Sequence, residues 1–550
     1  MKQESVLSVD HVALPMDADP PSRPVRSLVV GAVLFVVFLL AFLLRVIDLN
    51  NLPGFNGDEA WYGVQIERFQ ASLPVVVQAP SGRLSTNIFL AAVLAPIQVV
   101  VGPAIWVLRV PAVIAGVLTV WLAFVGLRSV WGRGAALSTA VILACLPINI
   151  AYSRFGWDPS LLGPFIVVAI AAAGRGRWLA AVLAVVAAIV VHPTAVLTLP
   201  LIWGLVLGAG RAPAGWWGRL APLRWGGFAL ASAGLVVLSR VLADTNHATG
   251  QGISVARITD LDHAWKFTST LFSLFSGRSV HNYFVSTGVI SKPWLILERG
   301  ALTVTLIVVV TGLLVALAHR VWRDVGLLVG TSVSAVLLYL SLAAPVVLPE
   351  YGRYAVFIVP PAVLCFVVAM KHSVWLVATR YSRSRPDAET GAAEVGPGPA
   401  TISTLALGIA LLAVTITAYF QPLRDHGSAT HEAFLTAKVD PKQQVWEIIS
   451  AHPGAVRPTV YCPDWWLCYP LVYFAGAGDS ASSIVSFEAD PRWLFKARAN
   501  DWVAVRTGSA ADVMLRERLR TMPGSAEARS PGPWLVVDLS GRPAYTVFRL

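Results

Sequence analysis

Long apolar runs separated by short polar loops fill most of the chain up to residue 420. They fall at about 27–47, 86–101, 107–127, 134–151, 159–173, 178–191, 194–210, 226–243, 300–318, 325–348, 354–370 and 401–419. A helix of roughly 20 apolar residues crosses a hydrocarbon core of roughly 30 Å. The pattern therefore predicts an α-helical polytopic membrane protein of about 11–12 membrane segments. After residue 420 the pattern changes. Thr459-Val460-Tyr461, Trp502-Val503-Ala504-Val505 and Trp534-Leu535-Val536-Val537 read as short strands, with helical patterns at 441–451 and 509–521 between them. That alternation predicts a small C-terminal α/β domain. A Pro/Gly/Ala-rich stretch, 386–400, precedes the last apolar run and has the composition of a linker.

Composition agrees with this class. Of 550 residues, 56% are hydrophobic and 13% charged, and mean hydropathy is +0.66. A soluble chain of this length needs more polar surface. The net charge of +11 does not call for a nucleic-acid partner, because the arginines occupy loops between apolar runs, where the positive-inside rule places them. Such a basic rim also suits anionic membrane lipids.

Loop charge gives an orientation. Arg128, Arg133, Arg175, Arg177, Arg211, Arg219, Arg224 and the basic stretches 319–323 and 371–385 are expected in the cytoplasm. Loops 48–85, 152–158, 244–299 and 349–353, the His192 break and the tail after 420 are then outside. The count requires 86–101, which carries Pro96, to be re-entrant or interfacial. The first run follows Arg23 and Arg26 and has no small-residue cleavage site after it, so it reads as a retained helix. The expected domains are a cytoplasmic tail 1–26, a transmembrane domain 27–370, a cytoplasmic linker 371–400, a last helix 401–419 and an extracytoplasmic α/β domain 420–550.

The candidate chemistry sits in the outer loops. Asp58 and Glu59 follow the first helix in Gly57-Asp58-Glu59-Ala60-Trp61-Tyr62. Pro53 and Gly54 force a turn, after which Asp58 can cap a helix starting near Ala60. The alternative is a general base, since a carboxylate held among aromatic residues at the membrane face gains basicity. Asp158 opens another helix ahead of Pro159, either as its cap or as a site carboxylate with Arg154 as ion-pair partner. His192-Pro193-Thr194 breaks two apolar helices, and its imidazole is a cap or a ligand of substrate. In Glu350-Tyr351-Gly352-Arg353-Tyr354, Arg353 snorkels or grips a phosphate, and Arg83, Arg278 and Lys292 could add to such a site. Cys145 and Cys365 lie in apolar runs as small core residues. Cys462 and Cys468 flank Pro463-Asp464-Trp465-Trp466-Leu467, and outside the cytoplasm they could form a disulfide.

These residues, in this order and on one side, resemble the GT-C superfamily of membrane glycosyltransferases, in particular the family 39 branch. That branch includes protein O-mannosyltransferases and the lipid A aminoarabinose transferase. The matching segments are Gly57–Tyr62, Leu108-Arg109-Val110-Pro111-Ala112, Tyr152-Ser153-Arg154 through Asp158, His192-Pro193-Thr194, and Gly352-Arg353-Tyr354 with Pro360 and Pro361, over roughly residues 25–370. The resemblance implies inverting transfer of a sugar from a polyprenyl-phosphate donor to an acceptor hydroxyl of a protein, glycolipid or cell-wall glycan. It implies Asp58 as base, Glu59 and Asp158 as groups that orient the acceptor or assist that base, and Arg353 on the leaving phosphate, with Arg83 as a second candidate. Tyr62, Arg154, His192 and Glu350 complete the expected substrate contacts. Some relatives use a divalent metal, and the sequence offers no ligand cluster that marks one here.

Two other classes compete. A transporter or lipid flippase with an extracytoplasmic binding domain would place polar groups near the bilayer midplane, where these segments carry little beyond Ser and Thr. A membrane-anchored sensor working through its tail would leave the acidic loop without a task.

Overall fold

The computed structural model describes residues 24–71, 87–209, 221–242, 259–285, 292–341, 349–383, 399–426, 434–435, 439–452, 458–463, 465–476, 484–486, 500–521, 533–537 and 541–550. Its helices are α1 (Pro24–Val46), α2 (Gly57–Gln70), α3 (Asn87–Val101), α4 (Ile105–Cys145), α5 (Pro147–Tyr152), α6 (Leu162–Gly174), α7 (Trp178–Val191), α8 (Leu199–Ala209), α9 (Ala221–Leu242), α10 (Leu261–Ser276), α11 (Lys292–Ala318), α12 (Trp322–Ser341), α13 (Val359–Arg383) and α14 (Pro399–Thr415). Short 3-10 turns at Asp158–Leu161, Pro193–Thr198 and Pro349–Ile358 lead into α6, α8 and α13.

Among the described residues, five helices are long and apolar enough to cross a membrane, and six shorter apolar helices accompany them. Many of their large apolar side chains point outward: Phe35 is 67% exposed, Leu230 76% and Ile296 69%. Exposure on that scale is stable only where lipid replaces water, so the chain is a multi-pass membrane protein. The expected run 107–127 and most of the run 134–151 are joined in α4, which bends at Gly132 (φ +86°, ψ 164°), between Arg128 and Arg133; the end of the second run forms α5. A positive φ suits glycine, and here it turns the chain without a loop.

Close helix approach rests on small residues. A Cβ at Gly204 of α8 would overlap the Gly326 carbonyl of α12, and one at Gly326 would overlap the Gly204 carbonyl in return. Gly208 meets Trp322 and Gly330 meets Leu201 in the same manner, so two glycine pairs at i, i+4 form one seam. Such backbone contact is how membrane helices gain packing energy without a hydrophobic effect between them.

The tail adds helices α15 (Pro441–Ala451), α16 (Trp465–Ala475) and α17 (Ala510–Thr521) to strands β1 (Val460–Cys462), β2 (Ile484–Ser486), β3 (Trp502–Arg506), β4 (Trp534–Val537) and β5 (Pro543–Arg549). The sheet order is β2-β1-β3-β5-β4, with β1 parallel to β2 and β3, and β5 antiparallel to β3 and β4. Period-2 alternation sorts its faces. Val460, Cys462, Trp502, Ala504, Tyr545 and Val547 pack with Val445, Ile449 and Leu471 of α15 and α16. Tyr461, Val503, Val505 and Phe548 pack with Leu515 of α17 on the other face. Cys462 and Cys468 are joined in a disulfide.

Helix α2 is the junction between the two parts. It is polar by composition, yet Gly57 and every residue from Glu59 to Glu67 are buried. Protein rather than lipid covers it: α3, α4 and the helix Trp465–Ala475 pack on it, with Gly63 lying against the ring of Tyr473. Phe55 just before it packs against the tilted rings of Tyr473 and Phe474, with centroids at 5.3 and 5.4 Å.

Candidate active site

The site is built on the turn between α1 and α2. Asn56 caps α2: its side chain accepts from the Asp58 N–H at 2.8 Å, and the Glu59 carboxylate reaches back to the Asn56 N–H at 3.2 Å. This capping box corrects the expectation that Asp58 caps the helix. The helix starts three residues earlier than expected, and Asp58 lies in its first turn, where a negative charge meets the positive end of the helix dipole.

Glu59 is wholly buried and its carboxylate is filled by structure. Arg109 of α4 approaches it as a fork, Nε to Oε1 and Nη2 to Oε2, both at 2.9 Å. The Gly156 N–H donates to Oε1 at 2.6 Å. The rest of the Arg109 guanidinium donates to the carbonyls of Leu49, Pro53 and Gly54 at 2.8, 2.9 and 3.2 Å. Arg154, also wholly buried, donates to the carbonyls of Leu44, Ile47, Asp48 and Leu52 at 2.6–3.3 Å. Arg154 is thus bonded to the turn rather than to Asp158, the partner expected for it. Two guanidiniums satisfy carbonyls of an irregular turn that has no ladder to satisfy them.

Asp58 and Tyr62 are four residues apart, hence on one helix face. Tyr62 is buried, and its phenol hydrogen-bonds to the carboxylate of Asp158. Burial, then the negative charges of Asp158 and Asp58, hold that phenol well above its usual pKa, so it stays a donor. Asp158 begins its 3-10 turn, but the cap position belongs to Trp157, which makes no side-chain cap bond. Neither aspartate is therefore the N-cap of its own helix. Asp58 accepts from the indole N–H of Trp465 at 3.0 Å, a bond that spans 407 residues of sequence.

His192, Trp157 and Tyr354 form a ring cluster with centroids 6.3–6.4 Å apart. The His192 Nδ1 lies 2.7 Å from the Thr194 hydroxyl and accepts from the Thr194 N–H at 3.4 Å, the cap arrangement anticipated for it. Through Tyr354 this cluster brings the turn Pro349–Ile358 beside the Asp158 turn. Glu350 and Arg353 belong to that turn; their side chains lie outside the described residues, as does Arg83 altogether. Of the remaining basic candidates, Arg278 pairs with Glu298 of α11 at 2.6 Å. Among the described residues, no three His, Cys, Asp or Glu side chains gather as a metal site would require.

Sequence reasoning did not find the tail's share of the site. The Asp440 carboxylate accepts from the Phe55 N–H at 2.6 Å, and the Lys442 ammonium donates to the Phe55 carbonyl. Both side chains are buried. The only local signal was Asp440-Pro441, which reads as a helix start and is one, since Asp440 caps α15.

No family model matches the chain, and no curated protein sequence matches it. Solved structures do. ArnT from Cupriavidus metallidurans bound to undecaprenyl phosphate aligns over 95% of this chain and 98% of that one, with a TM-score of 0.50 at 14% identity. Its apo state aligns with a TM-score of 0.49 over the same shares. The Archaeoglobus fulgidus oligosaccharyltransferase in complex with Zn and sulfate aligns at 12% identity over 93% of this chain and 72% of that one, with a TM-score of 0.43. Over 95% of its length the chain has the fold of this ArnT structure, in keeping with the helical membrane architecture that the sequence resemblance implied.

Proposed function

We propose that this protein is a glycosyltransferase that moves a sugar from a polyprenyl-phosphate donor to an acceptor hydroxyl at the outer face of the membrane. The observation that carries the reading is the grouping of Asp58, Tyr62 and Asp158 at one end of the bundle, on a backbone locked by buried arginines. The shared fold with a protein that holds undecaprenyl phosphate supports the donor class. In this reading Asp58 takes the proton of the acceptor hydroxyl as its oxygen attacks the anomeric carbon. The bond from that carbon to the phosphate oxygen breaks on the opposite side, inverting the centre, and polyprenyl phosphate leaves with the electron pair. Tyr62 and Asp158 orient the acceptor, while Arg353 and Arg83 stabilise the leaving phosphate. Glu59 acts by holding the loop, because its oxygens are occupied by Arg109, Asn56 and Gly156. Residues 27–370 would form the transferase, with the segment after 420 outside the cytoplasm. No metal enters this scheme.

The direct test uses the purified full chain in nanodiscs with undecaprenyl phosphate bearing a photoreactive group, and with a panel of radiolabelled polyprenyl-phosphate sugars. Crosslinks near Tyr354 and consumption of at least one donor are expected. Absence of both crosslinking and donor turnover would overturn the reading.

A further inference from the structure

The tail meets the proposed base itself. Trp465 stands at the start of α16, and its Nε1–H donates to Oδ1 of Asp58 at 3.0 Å. An indole N–H is a donor only, so this bond favours the ionised carboxylate and fixes which way it points. The indole lies directly on the first turn of α2. A Cβ at Gly57 would stand 2.6 Å from the Trp465 Cδ1 and 2.7 Å from its carbonyl oxygen. Only glycine at 57 allows that approach without displacement.

Trp465 is held from its own side as well. Its ring packs against Tyr469, tilted by 47°, with centroids 4.1 Å apart. The Cys462–Cys468 disulfide ties the end of β1 to α16 on either side of it. Asp440 and Lys442 grip the N–H and carbonyl of Phe55, three residues before Asp58. Tyr473 lies against Gly63 one turn and a half further along α2. The tail thus contacts both the loop that carries the base and the base's own carboxylate.

We infer that Trp465 is a positioning residue for Asp58, so that the C-terminal unit completes the active site rather than merely capping it. The inference rests on the reading of Asp58 as base given above. Trp465→Phe keeps an aromatic ring and removes the donor. With the donor gone the charged carboxylate loses stabilisation, and the acidic limb of the kcat/KM profile moves to higher pH by about one unit, the scale of one charge-assisted hydrogen bond. The KM for the donor stays unchanged, because Trp465 contacts the base and not the phosphate.

Two measurements decide it, both on the full chain in nanodiscs. In protein labelled with 5-fluorotryptophan, the ¹⁹F resonance that disappears in Trp465→Phe should move with pH in the wild type and stay still in Asp58→Asn. The pH–rate profiles of wild type and Trp465→Phe should separate on the acidic limb. A resonance indifferent to Asp58→Asn, or superimposable profiles, would overturn the inference. Full transfer activity in Asp58→Asn would instead remove Asp58 as base, while the fluorine signal would still report whether Trp465 bonds to it.

Discussion

Glu59→Gln removes one charge from the α1–α2 turn and almost no volume. The wild-type carboxylate accepts four hydrogen bonds, two from Arg109 and one each from the Asn56 and Gly156 amides. The pair is wholly buried on both sides, so solvent screening does not weaken it as it would a surface pair worth about 0–1 kcal/mol. The glutamine offers one acceptor where two stood, and its NH₂ then faces a donor. Arg109 keeps its three backbone carbonyls but loses its counter-charge. Breaking a buried pair from one side costs about 3–5 kcal/mol, a large share of a typical stability of about 5–15 kcal/mol. Unfolding in mixed micelles, followed by tryptophan fluorescence, measures the loss. Arg109→Met should cost more, because it also abandons the Leu49, Pro53 and Gly54 carbonyls. The double variant should cost less than the sum of the two by about 2–3 kcal/mol. A Glu59→Gln protein within about 0.5 kcal/mol of wild type, the scale of a neutral surface change, would refute the claim that this pair holds the turn.

Other consequences follow from the same contacts. Gly54→Ala would drive a methyl group into the carbonyl of Leu435, so the tail should lift from the α1–α2 turn, seen as faster hydrogen exchange at Phe55 without change in the bundle; unchanged exchange would contradict it. Glu67 is buried, and burial pushes its carboxyl from 4.5 to about 7. Its raised folded value means that its contribution is full below the unfolded pKa and is lost as pH rises through about 7, on the order of 3 kcal/mol in all. Glu67→Gln should flatten stability across that window, and an unaltered pH dependence would exclude Glu67 as its source. Reduction of Cys462–Cys468, a loop of sequence separation 6, should cost the tail about 2 kcal/mol and lower transfer. Full activity after complete reduction would show that the disulfide does not hold α16 in place.

The membrane class and most helices were legible because run length alone reports them. The turn chemistry was legible only in part. Asn56 and Asp58 are both good cap residues, and the sequence did not separate them; the reach of Glu59 back to Asn56 decides it. Arg154 was visible as a charge near Asp158, but its geometry depends on the turn 44–52 lying above it. In the tail, three strand signals marked elements that form, though β2 and the alternating Pro543–Arg549 strand were passed over. Helix α16 was also missed, since Trp465–Ala475 carries Pro470 and no helical stripe. The bond between Trp465 and Asp58 has no sequence signature at all. It exists because two elements 407 residues apart pack on one helix, and only the fold brings them together.

Transfer by Asp58→Asn tests the central claim most directly. The purified variant is compared with wild type for movement of radiolabelled sugar from the polyprenyl-phosphate donor that the wild type consumes, with folding checked by its unfolding curve. The expected result is a folded protein whose kcat falls by at least about a hundredfold, the usual contribution of a general base. A folded Asp58→Asn protein that transfers sugar at the wild-type rate would contradict the account.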